Sequence, residues 1–476
     1  MKNWQKFLFA LALLLACVVR LYRFDAPIAD WHSWRQSDTA AVARNFDTLG
    51  FDLLRPRYDD LSNIQSGKDN PEGWRMVEMP LYQAFGYGLN LLVPSLTIEE
   101  SLRVVSIVST AVSILLLGIL LLEFESVTVA LIGVYVYALL PYSIFYGRAI
   151  LPDAFGTMWA LLSITVLAKT KRWIWVIVAG IAAAISLLVR PMEVFMLLPS
   201  LYLIFRTRTL KNGIFYVLLY WVIASIPLYL WRQWILQFPE GIAVSSWLLN
   251  KDNIRFKGAW FYWLFARRIP ELILGYWGLI PFALGCIVKP KKDVYFSLAW
   301  IFGAILYLVI FAGGNVQHDY YQALIIPVIV YFVSIGLGRL ISPQAGLQKI
   351  PSYLLAFVSV AGMIAFSWYT MRTYFWINHP EIVEAGKAAD KLLPKNAKVI
   401  ASYNGDTTFL YQIRRQGWPL GFDIEQKIGM GAEYYVTISP TDADGETKDL
   451  AERYTVLVRN DTYAIIDLTR PVKTIK

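Results

Sequence analysis

The sequence predicts an all-α polytopic membrane protein of about 11 transmembrane helices, followed by a small C-terminal α/β domain. Three observations carry that prediction. Of 476 residues, 57% are hydrophobic and only 17% charged, with a mean hydropathy of +0.47; a soluble chain of this length would carry about a quarter charged residues. Several stretches run near 20 residues with almost no charge, enough to cross a hydrocarbon core of about 30 Å. After about residue 373 the pattern changes to short β-branched and aromatic runs.

The N-terminus, "MKNWQKFLFALALLLACVV", has the basic start and apolar core of a signal peptide, and "LLAC" at 14–17 hints at a lipoprotein cleavage site. Apolar character continues to Leu21 and many spans follow, so an uncleaved first span is the better reading. Apolar windows fall near 6–23, 101–122, 127–146, 153–168, 173–189, 193–206, 213–234, 271–288, 294–312, 321–340 and 351–371. The sixth is short between its polar margins.

Charge fixes the orientation. The basic loops "KTKR" (169–172), "RTRTLK" (206–211), "KPKKD" (289–293) and 337–349 alternate with poorer ones. With Lys2 and Lys6 inside, all four fall on the cytoplasmic side. The net charge of +9 is therefore read as a topology signal, not as a nucleic-acid-binding surface. Cys17 and Cys286 lie in different apolar segments, which excludes a disulfide framework or a cysteine-based zinc site.

The same threading places outside the loop 24–100, "YGRAILPD" (146–153), "VRPMEV" (189–194), the loop 235–270 and "GGNVQHDYY" (313–321). Two domains result, 1–372 in the membrane, including the long first loop, and 373–476 beyond it. In the second, "AKVIAS", "YYVTIS", "YTVLVR" and "YAIIDL" read as strands and "EIVEAGKAADKLL" (381–393) as a helix. It has no Gly-rich phosphate loop and a single histidine, His379.

Ionisable residues collect on the outer side, against the positive-inside bias. Arg20 and Arg23 are as well explained by snorkelling as by function. The others stand at span junctions: Arg148 with Asp153, Arg190 beside Pro191 and Glu193, and His318, Asp319, Tyr320 and Tyr321 opening the tenth span. In a helical bundle these can converge on one cavity near the membrane surface.

The densest group is "WHSWRQSDTAAVARNF" (31–46). Its apolar residues, from Ala40 to Phe46, predict a helix starting near Asp38, with Ser37 or Asp38 as N-cap. A capping role for Asp38 competes with a carboxylate acting as general base toward an acceptor hydroxyl. Arg44 fits a local ion pair better than catalysis. In "WRMVEMPLYQAFGYGLNLLVPSL" (74–96) the apolar, Gly-interrupted second half fits a helix lying in the interface.

On "HSWRQSDTAAVARNF", "VEMPLYQ", "GRAILPDAF", "RPMEVFMLLP" and "HDYYQALIIP", the chain resembles glycosyltransferase family 39, the polytopic GT-C transferases that include protein O-mannosyltransferases and lipid A aminoarabinose transferases. The resemblance spans about residues 5–370. It implies a polyprenyl-phosphate-linked sugar as donor, and inverting transfer to a protein, lipid or glycan acceptor. It also implies an inner-membrane location in a bacterium, with the site on the non-cytoplasmic side. Asp38 matches the catalytic acidic residue of the first outer loop, Asp153 a second acidic residue, and Glu78 the acidic residue of a Glu-x-Pro-Leu segment. Some relatives follow that glutamate with a phosphate-holding lysine, but Met79 stands here.

Arg35, Arg148 and Arg190 are then the candidates for the donor phosphate, since a guanidinium suits bidentate phosphate binding. His32, His318, Tyr320 and Tyr321 join Glu78 as candidate substrate contacts. A lipid phosphate leaves readily once neutralised, so the chemistry needs anion binding, alignment and one base. A divalent cation at Asp38 or Asp153 could assist with the phosphate, although no ligand spacing calls for one.

A transporter or flippase of a lipid-linked precursor is the alternative, but such proteins place polar groups near the midplane on broken helices, and here the mid-span regions are nearly uncharged. A third reading makes the tail a sensor and the helices an anchor, which eleven spans far exceed. Under the transferase reading, deleting 373–476 should weaken transfer or its specificity, yet leave some chemistry.

Overall fold

The computed structural model describes residues 1–342, 348–441 and 445–472. Residues 343–347 of the predicted cytoplasmic loop lie outside the described residues. The chain divides into two compact units. The first joins Met1–Phe24, Arg103–Trp234 and Ser245–Tyr374; the second joins Asp25–Leu102, Ile235–Val244 and Phe375–Lys476.

The first unit is helical. Among the described residues four helices are long and apolar enough to cross a membrane, Ile98–Phe124, Leu210–Ile235, Asp319–Ile341 and Lys349–Leu392, and shorter apolar helices include Asn3–Val19, Val127–Leu139, Ile174–Val189 and Val294–Ile310. Small residues let neighbouring helices close on one another, as expected where apolar burial alone does not drive association. Ser163 Oγ donates to the Ala179 carbonyl at 2.8 Å and Ser186 Oγ to that of Gly156 at 2.9 Å. At Gly285 a Cβ would sit 1.8 Å from the Phe332 carbonyl oxygen, so only glycine permits that approach.

Several predicted spans are interrupted among the described residues; the window 127–146, for one, breaks at Leu140 into helices Val127–Leu139 and Pro141–Tyr146. The window 193–206 contains a 3-10 turn at Pro191–Phe195 and a helix only from Pro199–Phe205, because the Pro199 nitrogen has no hydrogen to continue the ladder. The window 271–288 is α-helical only over Leu279–Ile287. Before it a π-helix, Trp263–Ile273, runs through Pro270 and ends where Gly275 and Tyr276 take left-handed φ values of 49° and 57°.

The second unit is an α/β assembly. Among the described residues its strands are five, β1 (Val399–Ala401), β2 (Gly417–Trp418), β3 (Tyr434–Thr437), β4 (Tyr454–Arg459) and β5 (Ala464–Pro471), in the order β2-β1-β3-β5-β4. β1 runs parallel to β2 and β3, whereas β5 is antiparallel to β3 and β4. Alternation along β5 sends Ile465 into a core with Ile382, Ala385 and Phe409, and Ile466 into a second core with Trp418 and Tyr435. The predicted helix at 381–393 is present as Pro380–Leu392.

The division differs from the expected one at 372/373. The long first loop, assigned above to the membrane domain, groups with the tail. Leu61 enters the second core, the Leu61 amide donates to the Gly417 carbonyl at 2.8 Å, and the Gly417 amide donates to that of Asp59 at 2.8 Å. Loop residues thus cover the β2 edge, which would otherwise expose unpaired backbone groups. The loop's second helix, Leu81–Leu92, buries Tyr82, Gln83 and Gly86 while Phe85, Leu91 and Leu92 stay exposed.

Candidate active site

In the second unit, the helix of the opening charged stretch runs from Ser33 to Thr48, with His32 as its N-cap in a left-handed conformation at φ 56°. Asp38 is therefore the sixth helical residue, not a cap. Polar residues 35–39 are buried, so apolar periodicity could not mark the true start. Gln36 instead anchors the first turn, its amide donating to Asp30 at 2.7 Å and to the Trp31 carbonyl at 3.0 Å.

Asp38 is 1% exposed and gathers partners from three segments. Thr407 Oγ1 donates to its Oδ1 at 2.7 Å, and Gln65 Nε2 to its Oδ2 at 3.1 Å. The Arg75 guanidinium stands 2.9 Å from Oδ2 and also donates to Gln65 Oε1. Each carboxylate oxygen can accept twice, so Oδ1 keeps capacity for one further donor. Arg75, Gln65 and Thr407 were not legible as site residues, since they lie 37, 27 and 369 positions from Asp38.

Two further carboxylates stand in the field of Asp38. Burial pushes the Asp60 carboxyl up to about 6, against hydrogen bonds from Ser62 that lower it, and the charge of Asp38 adds to the rise. Asp406 is also raised, first by burial and then by Asp38, against its hydrogen bonds to Thr408.

Arg35 and Glu78 form a pair on the same helix entrance. One guanidinium nitrogen, Nη2, donates to both Glu78 oxygens at 2.8 and 2.9 Å, and Gln83 adds a longer bond at 3.3 Å. Arg44 pairs with Asp59 and donates to the Tyr411 carbonyl at 3.0 Å, the local role expected of it. The His32 ring packs edge-on against Trp31, with centroids 5.3 Å apart.

In the first unit, the helix Asp153–Lys169 begins at Asp153 directly after Pro152. Arg190 lies 2.6 Å from Asp153 Oδ1 and 5.3 Å from the centre of the Tyr321 ring. Beside them Thr157 donates to Glu193 at 2.6 Å. His318, Tyr320 and Tyr321 stack on one another, with Tyr320 and Tyr321 centroids 4.6 Å apart. Arg148 donates to the Arg23 carbonyl at 3.0 Å. Arg20 does not snorkel: it is fully buried and donates to the carbonyls of Ala16, Ala138 and Ser143 at 2.8, 3.1 and 3.1 Å.

The residue between His318 and Tyr320 was passed over as a site. Asp319 is 1% exposed and receives the Tyr146 hydroxyl at 2.6 Å, the Tyr374 hydroxyl and Arg268 at 3.3 Å. Its neighbours in sequence gave no hint, because the tyrosines and arginine come from remote helices.

Two of the three guanidinium groups assigned to phosphate, Arg35 and Arg190, are thus each paired with a carboxylate from the same candidate set. Among the described residues no group of three or more His, Cys, Asp or Glu side chains is placed to hold a metal ion.

Comparison with known proteins bears on this geometry. Residues 92–231 match the family described as dolichyl-phosphate-mannose-protein mannosyltransferase. That segment includes "GRAILPDAF" and "RPMEVFMLLP" but not the Asp38 helix. Among solved structures, ArnT from Cupriavidus metallidurans bound to undecaprenyl phosphate superposes with a TM-score of 0.64 at 13% identity, covering 98% of both chains. The oligosaccharyltransferase AglB from Archaeoglobus fulgidus, in complex with an inhibitory peptide and a dolichol-phosphate, gives 0.57 at 10% identity, over 96% of this chain and 73% of that one. A comparison of the sequence with curated proteins finds no match. The chain shares the fold of that ArnT structure.

Proposed function

We propose that the protein is an inverting glycosyltransferase. It moves a sugar from a polyprenyl-phosphate-linked donor to an acceptor hydroxyl on the outer face of the membrane, with Asp38 as general base. The observation that carries this reading is the fold, shared over 98% of both chains with a transferase-family structure that holds undecaprenyl phosphate; the mannosyltransferase-family match at 92–231 supports it.

The roles follow from chemistry. The acceptor hydroxyl uses the remaining capacity of Asp38 Oδ1, and the carboxylate takes its proton as the C–O bond forms. Arg75 stands opposite that carboxylate in a buried setting and holds it in place together with Gln65 and Thr407. The donor leaves as its lipid phosphate, whose charge needs guanidinium partners; Arg148, Arg35 and Arg190 are assigned to that task. Arg35 and Arg190 would exchange a carboxylate for a phosphate on donor binding, releasing Glu78 and Asp153. His32, His318, Tyr320 and Tyr321 are assigned to substrate contact.

The test uses purified protein with polyprenyl-phosphate-linked sugars and follows release of the polyprenyl phosphate. Wild type should turn over and folded Asp38→Asn should not; full activity in that variant refutes the base assignment. The same assay with and without EDTA reads any dependence on a divalent cation. Movement of labelled lipid across vesicles with no covalent change would establish the flippase alternative instead. Mass spectrometry of surface glycans, with and without the gene, identifies the sugar and acceptor.

A further inference from the structure

We propose that a cavity of about 250 Å³ at the far end of the Ser33–Thr48 helix is a saccharide subsite that holds the acceptor away from the reacting centre. The inference rests on the transferase reading above and names the chemical class of its acceptor.

The cavity lies wholly within the second unit, and Asn45, Phe51, Asp52, Arg55, Arg57 and Trp74 supply its chemistry. Phe51 leaves more than half of its surface exposed. Arg57 lies over the Trp74 ring at 4.5 Å. Around these rings stand planar polar groups, with Arg55 3.1 Å from Asp52 and Arg57 3.2 Å from Glu72.

The charge arrangement selects the ligand. Arg55 and Arg57 pair with carboxylates in partly exposed positions, so water and salt screen what they could offer a phosphate, unlike the buried pairs of Arg35 and Arg190. A prenyl chain needs walls free of charge. A neutral pyranose offers an apolar C–H face for an aromatic ring and an edge of hydroxyls that both accept and donate, which suits paired carboxylates and guanidiniums. The volume, just below the roughly 300 Å³ where pockets for larger ligands begin, admits a small polar ring.

Its position fits a remote acceptor subsite. Asn45 follows Asp38 by seven residues, so both lie on one face of the helix, about 10 Å apart along its axis. Binding energy gained there can be spent on aligning a hydroxyl at Asp38.

The test is saturation-transfer NMR on the full chain in detergent. Methyl α-glucoside, methyl α-mannoside and methyl N-acetyl-β-glucosaminide serve as probes. At least one should show saturable transfer whose half-saturation concentration rises fivefold or more in Phe51→Ala and in Arg55→Ala. Both positions are exposed, so the variants should fold, and Phe85→Ala, at another exposed aromatic, should leave binding unchanged. No signal from any glycoside, or equal signals in all variants, overturns the proposal. Glycoside binding without donor turnover would keep the saccharide site and overturn the transferase reading; turnover without glycoside binding would do the reverse.

Discussion

Arg75 and Asp38 stand 2.9 Å apart with both side chains almost wholly buried. A buried pair of this kind adds little net stability, but removing one partner strands the other. Arg75→Met should therefore destabilise the protein by about 3–5 kcal/mol. Adding Asp38→Asn to it should recover part of that loss, and thermal unfolding of the two variants in detergent measures the difference. A single variant as stable as wild type would show that the pair is not the hub of the second unit.

For catalysis, Asp38→Asn preserves shape while losing the base. A positioned general base contributes roughly 10²- to 10⁴-fold, so kcat for donor turnover should fall by that much while KM for the donor changes little. Thr407→Val removes one hydrogen bond to the same carboxylate and should cost about 1 kcal/mol of stability, with a smaller fall in kcat than Asp38→Asn.

In the first unit, Asp319 is the shared acceptor of two tyrosine hydroxyls and a guanidinium. Asp319→Ala leaves all three donors buried and short of a partner and should destabilise by about 3 kcal/mol or more. Asp319→Asn, which keeps one acceptor oxygen, should cost less. Equal losses in the two variants would argue that volume, not hydrogen bonding, sets the effect.

The pH dependence follows from Asp60. Its folded carboxyl is raised from the usual 3.8 to about 6, so between those values the folded state binds the extra proton. Stability therefore falls as pH rises through that window, by an amount on the order of 3 kcal/mol, and the penalty is fully present above it. Asp60→Asn should flatten the unfolding temperature between pH 4 and 6. An unchanged slope would assign that region to other groups.

The structure also revises the expected result of truncation. A chain ending at Tyr374 loses the whole sheet, both cores and Thr407, so the first loop has nothing left to fold against. Transfer should disappear rather than weaken, and trypsin should cut near Arg55, Arg57 and Lys68 in the truncated protein but not in the full chain.

How much of this was legible turns on the range of the interactions. The strand pattern of "YAIIDL" is local and survives as β5, whereas β2, two residues of Gly417 and Trp418, has no pattern to read. The helix from Ser33 is missed at its start because its first turns bury polar side chains against partners far away in sequence. Charge at the outer junctions pointed to Asp153 and Arg190 but not to their pairing. Asp319, although quoted within its motif, became visible only once Tyr146, Arg268 and Tyr374 were brought to it.

The second unit is threaded from three separated stretches of chain, and this gives it a timetable. Asp25–Leu102 is made well before Phe375–Lys476, the stretch that supplies its sheet. Contacts of such long range form late and slowly. The nascent protein therefore carries Asp38 through the 369 residues that separate it from Thr407 before that side chain can complete its surroundings.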